Sequence, residues 1–367
     1  MLIRILISIL LWMQLTSVLQ AQDAISSEPP SLQMLDSIVK QEQLFYQNLY
    51  PEIEFLVLKG GEDWMDEIEG LSIILGNKPV SLDYAHPYQL RQDLMYASIE
   101  RIILMLNTQS PSASLFKADS PMGWADSVCV ITLDPATIAK DSRQSTMHLL
   151  DLPDSTLKHI TDESYLPADQ YLEFVFDHEV YHCLKSYFVG PQAMSHKEFW
   201  AEYTSHQDEI GADSFALAMN IKKHHGLTKL ANNITRIRGM SLFNIDADHM
   251  TCRALKDVLS MEADKIIGMQ AQEIFDLANA IREKYGMSYN DYLTYLASSL
   301  AAVRMLGLGD LIPSDLTARI KDIPADNKLA IRMVENAKQC YNELTGQRYR
   351  PEDLQKLRKL IELHHVD

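Results

Sequence analysis

Apolar side chains recur every three to four residues from Leu32 to about Tyr50, and again from about Tyr88 to Asn107. This is amphipathic-helix spacing and predicts a core helix in each place. Residues 22–33, with Pro29 and Pro30, read as a flexible leading segment, and Thr108 to Asp126 collects Ser, Pro and Gly and predicts a surface loop. The run Val128-Cys129-Val130-Ile131-Thr132-Leu133 has another texture. It is rich in β-branched residues and is stopped by Asp134-Pro135, so it predicts a strand. Beyond Asp169 helical periodicity covers nearly everything, over 170–188, 196–222, 252–284 and 289–306. No fixed-period repeat, low-complexity tract or Gly-rich phosphate loop interrupts it. The expected architecture is mostly α, an α+β arrangement with a small sheet near 128–133 and a flanking helical region from about residue 252.

At 367 residues and 47% hydrophobic, the chain can bury a sizeable core, enough for about two domains or one large helical one. With 33 Lys+Arg against 50 Asp+Glu, its net charge of −17 repels a phosphate backbone, and no basic stripe offsets it. Nucleic acid is therefore not an expected partner. The N-terminus differs in character: after Arg4, the stretch Ile5 to Leu19 is mostly apolar, broken by Ser8, Gln14, Thr16 and Ser17, and a short polar segment ends at Ala21. That order is a secretory signal peptide's, and the apolar part is short of the ~20 residues a membrane span needs. The expectation is cleavage after Ala21 and an exported chain, periplasmic or secreted, without a stable membrane span; an uncleaved N-terminal anchor is the alternative. The chain then divides into a signal peptide (1–21), an N-terminal helical region (22–125), a core (126–251) and a C-terminal helical region (252–367).

Export changes how the cysteines read. Cys129, Cys183, Cys252 and Cys340 are too sparse for a disulfide-dense mini-fold and contain no C-x-x-C pair. One or two disulfides and four buried thiols are both compatible with the sequence.

Chemistry concentrates at His178-Glu179-Val180-Tyr181-His182, an H-E-x-x-H motif inside a largely apolar helical stretch that includes Val175, Phe176 and Leu184. Residues four apart stand one above the other on a helix, so two imidazoles can aim at one point with Glu179 beside it. This is zinc-binding spacing, and Zn2+ is the expected cofactor. The bland reading, two histidines decorating a helix, fits the apolar surroundings poorly, because a dry wall strengthens an ion's field. Cys183 adjoins His182 but points about 100° away around the helix, so it reads as packing rather than as a ligand.

On these residues the chain resembles the gluzincin zinc metallopeptidases over His178 to Asp213. The resemblance implies a zincin-like catalytic core at 126–251, with an active-site helix, a second ligand helix and a small sheet. It also implies a third ligand from the second helix, at the head of an E-x-x-x-D element whose aspartate supports a ligand histidine; Glu209-Ile210-Gly211-Ala212-Asp213 fits. The rival is Glu202: Ser195 and Glu198 form a capping-box signature, and antiparallel mirroring brings Glu202 near the level of His182. Four residues beyond Glu202 stands His206, which cannot accept a ligand histidine's N–H as a carboxylate does, whereas Glu209 has Asp213. Glu209 is therefore the favoured third ligand and Glu202 the alternative.

From such a shell follows a metallopeptidase that acts on peptide or protein substrates, with Glu179 as general base and later acid. Asp213 orients a ligand histidine, and His206, Tyr203 and His249 are the candidate donors to the oxyanion. The strand at 128–133 could be the edge that holds an extended peptide, or simply an isolated strand. Two other functions stay open, a zinc hydrolase of a non-peptide amide and a catalytically silent helical binding or chaperone-like protein that keeps the metal site.

Overall fold

Ser31 caps the first helix by accepting from the backbone N–H of Met34, and Leu35, Val39, Glu42 and Tyr46 form its buried stripe at spacings of four, three and four. The computed structural model describes residues 31–58, 110–117, 127–150, 160–189 and 200–350. The helix is α1 (Leu32–Leu49), as its periodicity predicts, and the chain turns at Tyr50-Pro51 into strand β1 (Ile53–Leu58). The helix expected at 88–107 lies outside the described residues.

The predicted strand exists as β3 (Ser127–Thr132), buried at every position, and it is the middle of a three-stranded sheet. It runs parallel to β1, with Phe55 opposite Cys129, and antiparallel to β2 (Ser112–Lys117), with Leu115 opposite Cys129. Two expectations are corrected here. β3 is no edge strand, so it cannot take up an added peptide along its side. The predicted loop at 108–126 contains β2, whose Ser-Ala-Ser-Leu sequence lacks β-branched residues; pairing with β3 makes it a strand. The two outer strands are not alike. Gln43 and Gln47 of α1 bond the outer backbone of β1: their Nε2 groups donate to Phe55 O (2.7 Å) and Ile53 O (2.9 Å), and Gln47 Oε1 accepts from Phe55 N (3.0 Å). That edge is occupied. Among the described residues β2 keeps a free edge, and it lies against the long helix that follows.

After two short helices, α2 (Pro135–Ile138) and α3 (Ser142–Leu150), come the central pair α4 (Ala168–Phe188) and α5 (Trp200–Lys223). They run antiparallel, as the pairings of His178 with Asp213 and of Lys185 with Asp208 require. Tyr181 lies between them against Gly211, where an added Cβ would collide with the tyrosine ring and its oxygen, so glycine permits this approach. A disulfide, Cys129–Cys183, ties α4 to β3, while Cys252 and Cys340 are buried free thiols. On the far side of α4 the buried Asp177 accepts from Lys223 Nζ and from Tyr46 Oη (both 2.6 Å), and Lys223 also reaches Glu42 (2.5 Å). This pins α1, α4 and α5 together, and removing one partner from such a buried ionic cluster leaves the others uncompensated.

Among the described residues the remaining α-helices are α6 (Lys229–Gly239), α7 (Cys252–Leu259), α8 (Ala263–Gly268), α9 (Ala271–Lys284), α10 (Tyr289–Met305), α11 (Ser314–Ile320) and α12 (Asn327–Thr345). The helix expected over 252–284 is thus three helices. Lys222 donates to the carbonyls of Ile267 (3.0 Å) and Met269 (2.6 Å), satisfying the end of α8, and a Gln270–Glu273 capping box restarts the chain as α9. The molecule is mostly helical with a small three-stranded sheet, and no described helix is long and apolar enough to cross a membrane.

The disulfide closes a sequence separation of 54 residues. Chain-entropy reasoning then predicts that the Cys129→Ala/Cys183→Ala double variant loses about 4 kcal/mol of stability. Calorimetry measures this, and non-reducing peptide mapping should recover one 129–183 cross-link and two free thiols. An unshifted melting midpoint, or cross-links to Cys252 or Cys340, contradicts the assignment.

Candidate metal centre

His178 and His182 stand one turn apart on α4, and Glu209 faces them from α5. Candidate ligand atoms of the three lie within 4.8 Å of one another. The imidazole Nε2 atoms are 3.3 Å apart, and the Glu209 carboxylate reaches His178 Nε2 at 2.9 Å and His182 Nε2 at 3.6 Å. Zinc bonds nitrogen and oxygen at about 2.0–2.2 Å, so neighbouring ligand atoms of a tetrahedral site sit about 3.3–3.6 Å apart. Two of the three edges match, and the His178–Glu209 edge is shorter.

The proton inventory gives the same reading. His178 Nδ1 lies 3.0 Å from Asp213 Oδ1, and a carboxylate only accepts, so Nδ1 carries the hydrogen. When the ring is neutral, Nε2 offers a lone pair toward the carboxylate and His182; without a metal ion a second proton at Nε2 faces Glu209. Glu209 Oε2 is buried with no hydrogen bond, although two imidazole Nε2 atoms lie within ion-pair distance of it. Such a convergence calls for positive charge between the acceptors, supplied by protonated imidazoles or by a bound metal ion. The structure brings together a group that could hold a metal ion, made of two imidazoles and one carboxylate.

Asp213 anchors the arrangement. It is fully buried and accepts from His178, from Arg238 through Nε and Nη2 (both 2.8 Å), and from the Thr251 hydroxyl. Burial alone raises its pKa, but Arg238 and His178 outweigh that and hold the carboxyl below its ordinary range. Burial disfavours the His178 cation, yet Glu209 and Asp213 lift its pKa to about 9; His182 is lowered, chiefly by burial. Glu209 is held well below the usual carboxylate value because His249 and His178 overcome its burial. Glu179, 6% exposed, moves the other way: burial raises it to about 7.

The other expected residues fall in different places. His249 joins the centre, with Nε2 3.1 Å from Glu209 Oε2, while Asp246 accepts from its Nδ1 (2.7 Å) and its backbone N–H (3.1 Å). Burial works against the His249 cation, but Glu209 raises its pKa well above the ordinary value. His206 is 2% exposed and its Nδ1 lies 2.9 Å from the Asp248 carbonyl, so that nitrogen is used in the fold. Glu202 and Tyr203 occupy helical positions on α5, but their side chains lie outside what the structure describes. Cys183 is a disulfide partner rather than a ligand. Asn233 of the Asn233-Ile234-Thr235 sequon is buried, donates to Glu163 O (3.0 Å) and accepts from Arg236 (2.9 Å), which removes it as a glycan acceptor in the folded protein.

Sequence reasoning missed Arg238, Thr251 and Asp246. Arg238 and Thr251 lie 25 and 38 residues beyond Asp213, and no short-range spacing points to them. Asp246 had a local signal, an acid three residues before a histidine. Against known proteins, the chain matches no family model, no curated protein and no solved structure. The gluzincin resemblance therefore stands on this cluster alone.

The purified chain should bind one equivalent of Zn2+. His182→Ala or Glu209→Ala should abolish tight binding, and Asp213→Asn should weaken it about 10–100-fold. Chelator competition with elemental analysis reads this out; undiminished binding in Glu209→Ala contradicts the assignment of the third ligand.

Proposed function

We propose that this protein is an exported zinc metallopeptidase. The observation that carries the proposal is the convergence of His178, His182 and Glu209, a group that could hold a metal ion, beside the buried carboxyl of Glu179. A His2Glu set suits zinc and leaves a four-coordinate ion one further position. Bound zinc would polarise a scissile carbonyl and make hydroxide available at neutral pH. Glu179 is the general base that takes the water proton and the acid that returns it to the leaving amine. The donor to the oxyanion in this reading is His249, whose Nδ1 Asp246 engages and whose Nε2 lies 3.1 Å from Glu209 Oε2, at the edge of the candidate centre. Asp213 keeps His178 in the tautomer that presents Nε2.

A peptide is favoured over other carbonyl substrates by the outer edge of β2, which among the described residues pairs with β3 alone and would offer main-chain donors and acceptors to an extended segment. Export is supported by the residue order of 1–21 and agrees with the disulfide, which persists in oxidising compartments.

Glu179→Gln should keep its zinc and lose peptide hydrolysis by about 10²–10⁴-fold, measured by mass spectrometry on a random peptide library. Equal cleavage by the variant, or none by zinc-loaded wild type, ends this reading. The exported chain should begin at Gln22; recovery with Met1 intact contradicts signal cleavage.

A further inference from the structure

The turn that carries Asp246 and His249 begins at Ile245, whose φ of 65° places a β-branched residue in the left-handed region. Such a residue is strained there and keeps the conformation only where its surroundings impose it. Besides the hydrogen bonds of Asp246 N–H to the Ser241 carbonyl and of the Ser241 hydroxyl to the His249 carbonyl, two buried neighbours restrain the turn. His206 Nδ1–H donates to the Asp248 carbonyl at 2.9 Å, a carbonyl being able only to accept, and Tyr295 Oη donates to the Ala247 carbonyl at 3.1 Å. The rings of His206 and Tyr295 stack with centroids 4.8 Å apart. His206 also lies one turn before Glu209 on α5, so the clamp and the third ligand share one rigid element.

We propose that His206 is a positioning residue that sets the Ile245–His249 turn, and with it the His249 imidazole, at a fixed height over the metal centre. The inference rests on the hydrolytic reading for its effect on rate, but not for its effect on the turn. A purely structural buried histidine would change stability and leave turnover by the folded fraction alone. A positioning residue changes turnover and leaves the ligands' grip on zinc unaltered, because misplacing a donor by an ångström costs up to about 10²-fold.

The test uses the full-length, zinc-loaded protein. His206→Phe keeps a flat ring against Tyr295 but removes the donor, and His206→Asn puts an amide N–H near the position of Nδ1. Both should hold one zinc with wild-type affinity. His206→Phe should lower kcat by about 10–100-fold with KM changed by less than about threefold, and His206→Asn should recover most of it. Native-state hydrogen exchange at the backbone amides of Asp246 and His249 should quicken in His206→Phe and stay near wild type in His206→Asn. Should His206→Phe fail to fold, Tyr295→Phe, which removes the other donor to the same turn, gives the same two readouts. Wild-type kcat with wild-type exchange in these variants overturns the proposal, as does loss of zinc from His206→Phe. If wild type cleaves no peptide the hydrolytic reading fails, and hydrogen exchange still decides the role of His206.

Discussion

His178 Nε2, His182 Nε2 and the Glu209 carboxylate point at one another across 2.9–3.6 Å in a half-buried site. Three lone pairs do not tolerate that arrangement on their own; protons on the imidazoles or one divalent cation can resolve it. Asp213 holds a proton on His178 Nδ1, so the neutral ring presents Nε2 as a lone pair, the form that a metal ion binds. The acidity of Asp213 in turn depends on Arg238, and that chain of charges reaches from the metal centre into the helices behind it.

The fold can be read as the means of holding two helices at that separation. Tyr181 lodged against Gly211 sets how closely α4 and α5 approach. The Cys129–Cys183 disulfide fixes α4 to the middle strand of the sheet one residue after His182. The Lys223 cluster fixes the same helix to α1 from the opposite side, one residue before His178. The ligand-bearing turn is thus braced on both flanks, which is what a preformed metal site requires.

How much of this was legible in the sequence depends on the range of each interaction. His178, Glu179 and His182 are legible because helical spacing alone puts them together. Glu209 could be preferred to Glu202 because the supporting carboxylate, Asp213, lies only one turn away. The partners of Asp213 were not legible: Arg238 and Thr251 come from separate elements, and no local pattern marks them. The strand at 128–133 shows in its β-branched run, but its place in the middle of the sheet depends on β1 and β2, and β2 has a composition that hides it. Likewise the second of the two breaks in 252–284 is met by Lys222, which binds carbonyls 45 and 47 residues away.

X-ray absorption at the zinc edge of the metal-loaded chain tests the central claim most directly. The account predicts two imidazole ligands with oxygen making up the rest of the shell, all at about 2.0–2.2 Å, and loss of one imidazole in His182→Ala. A shell containing sulfur at about 2.3 Å, or one without paired imidazoles, would place the ion elsewhere and contradict the account.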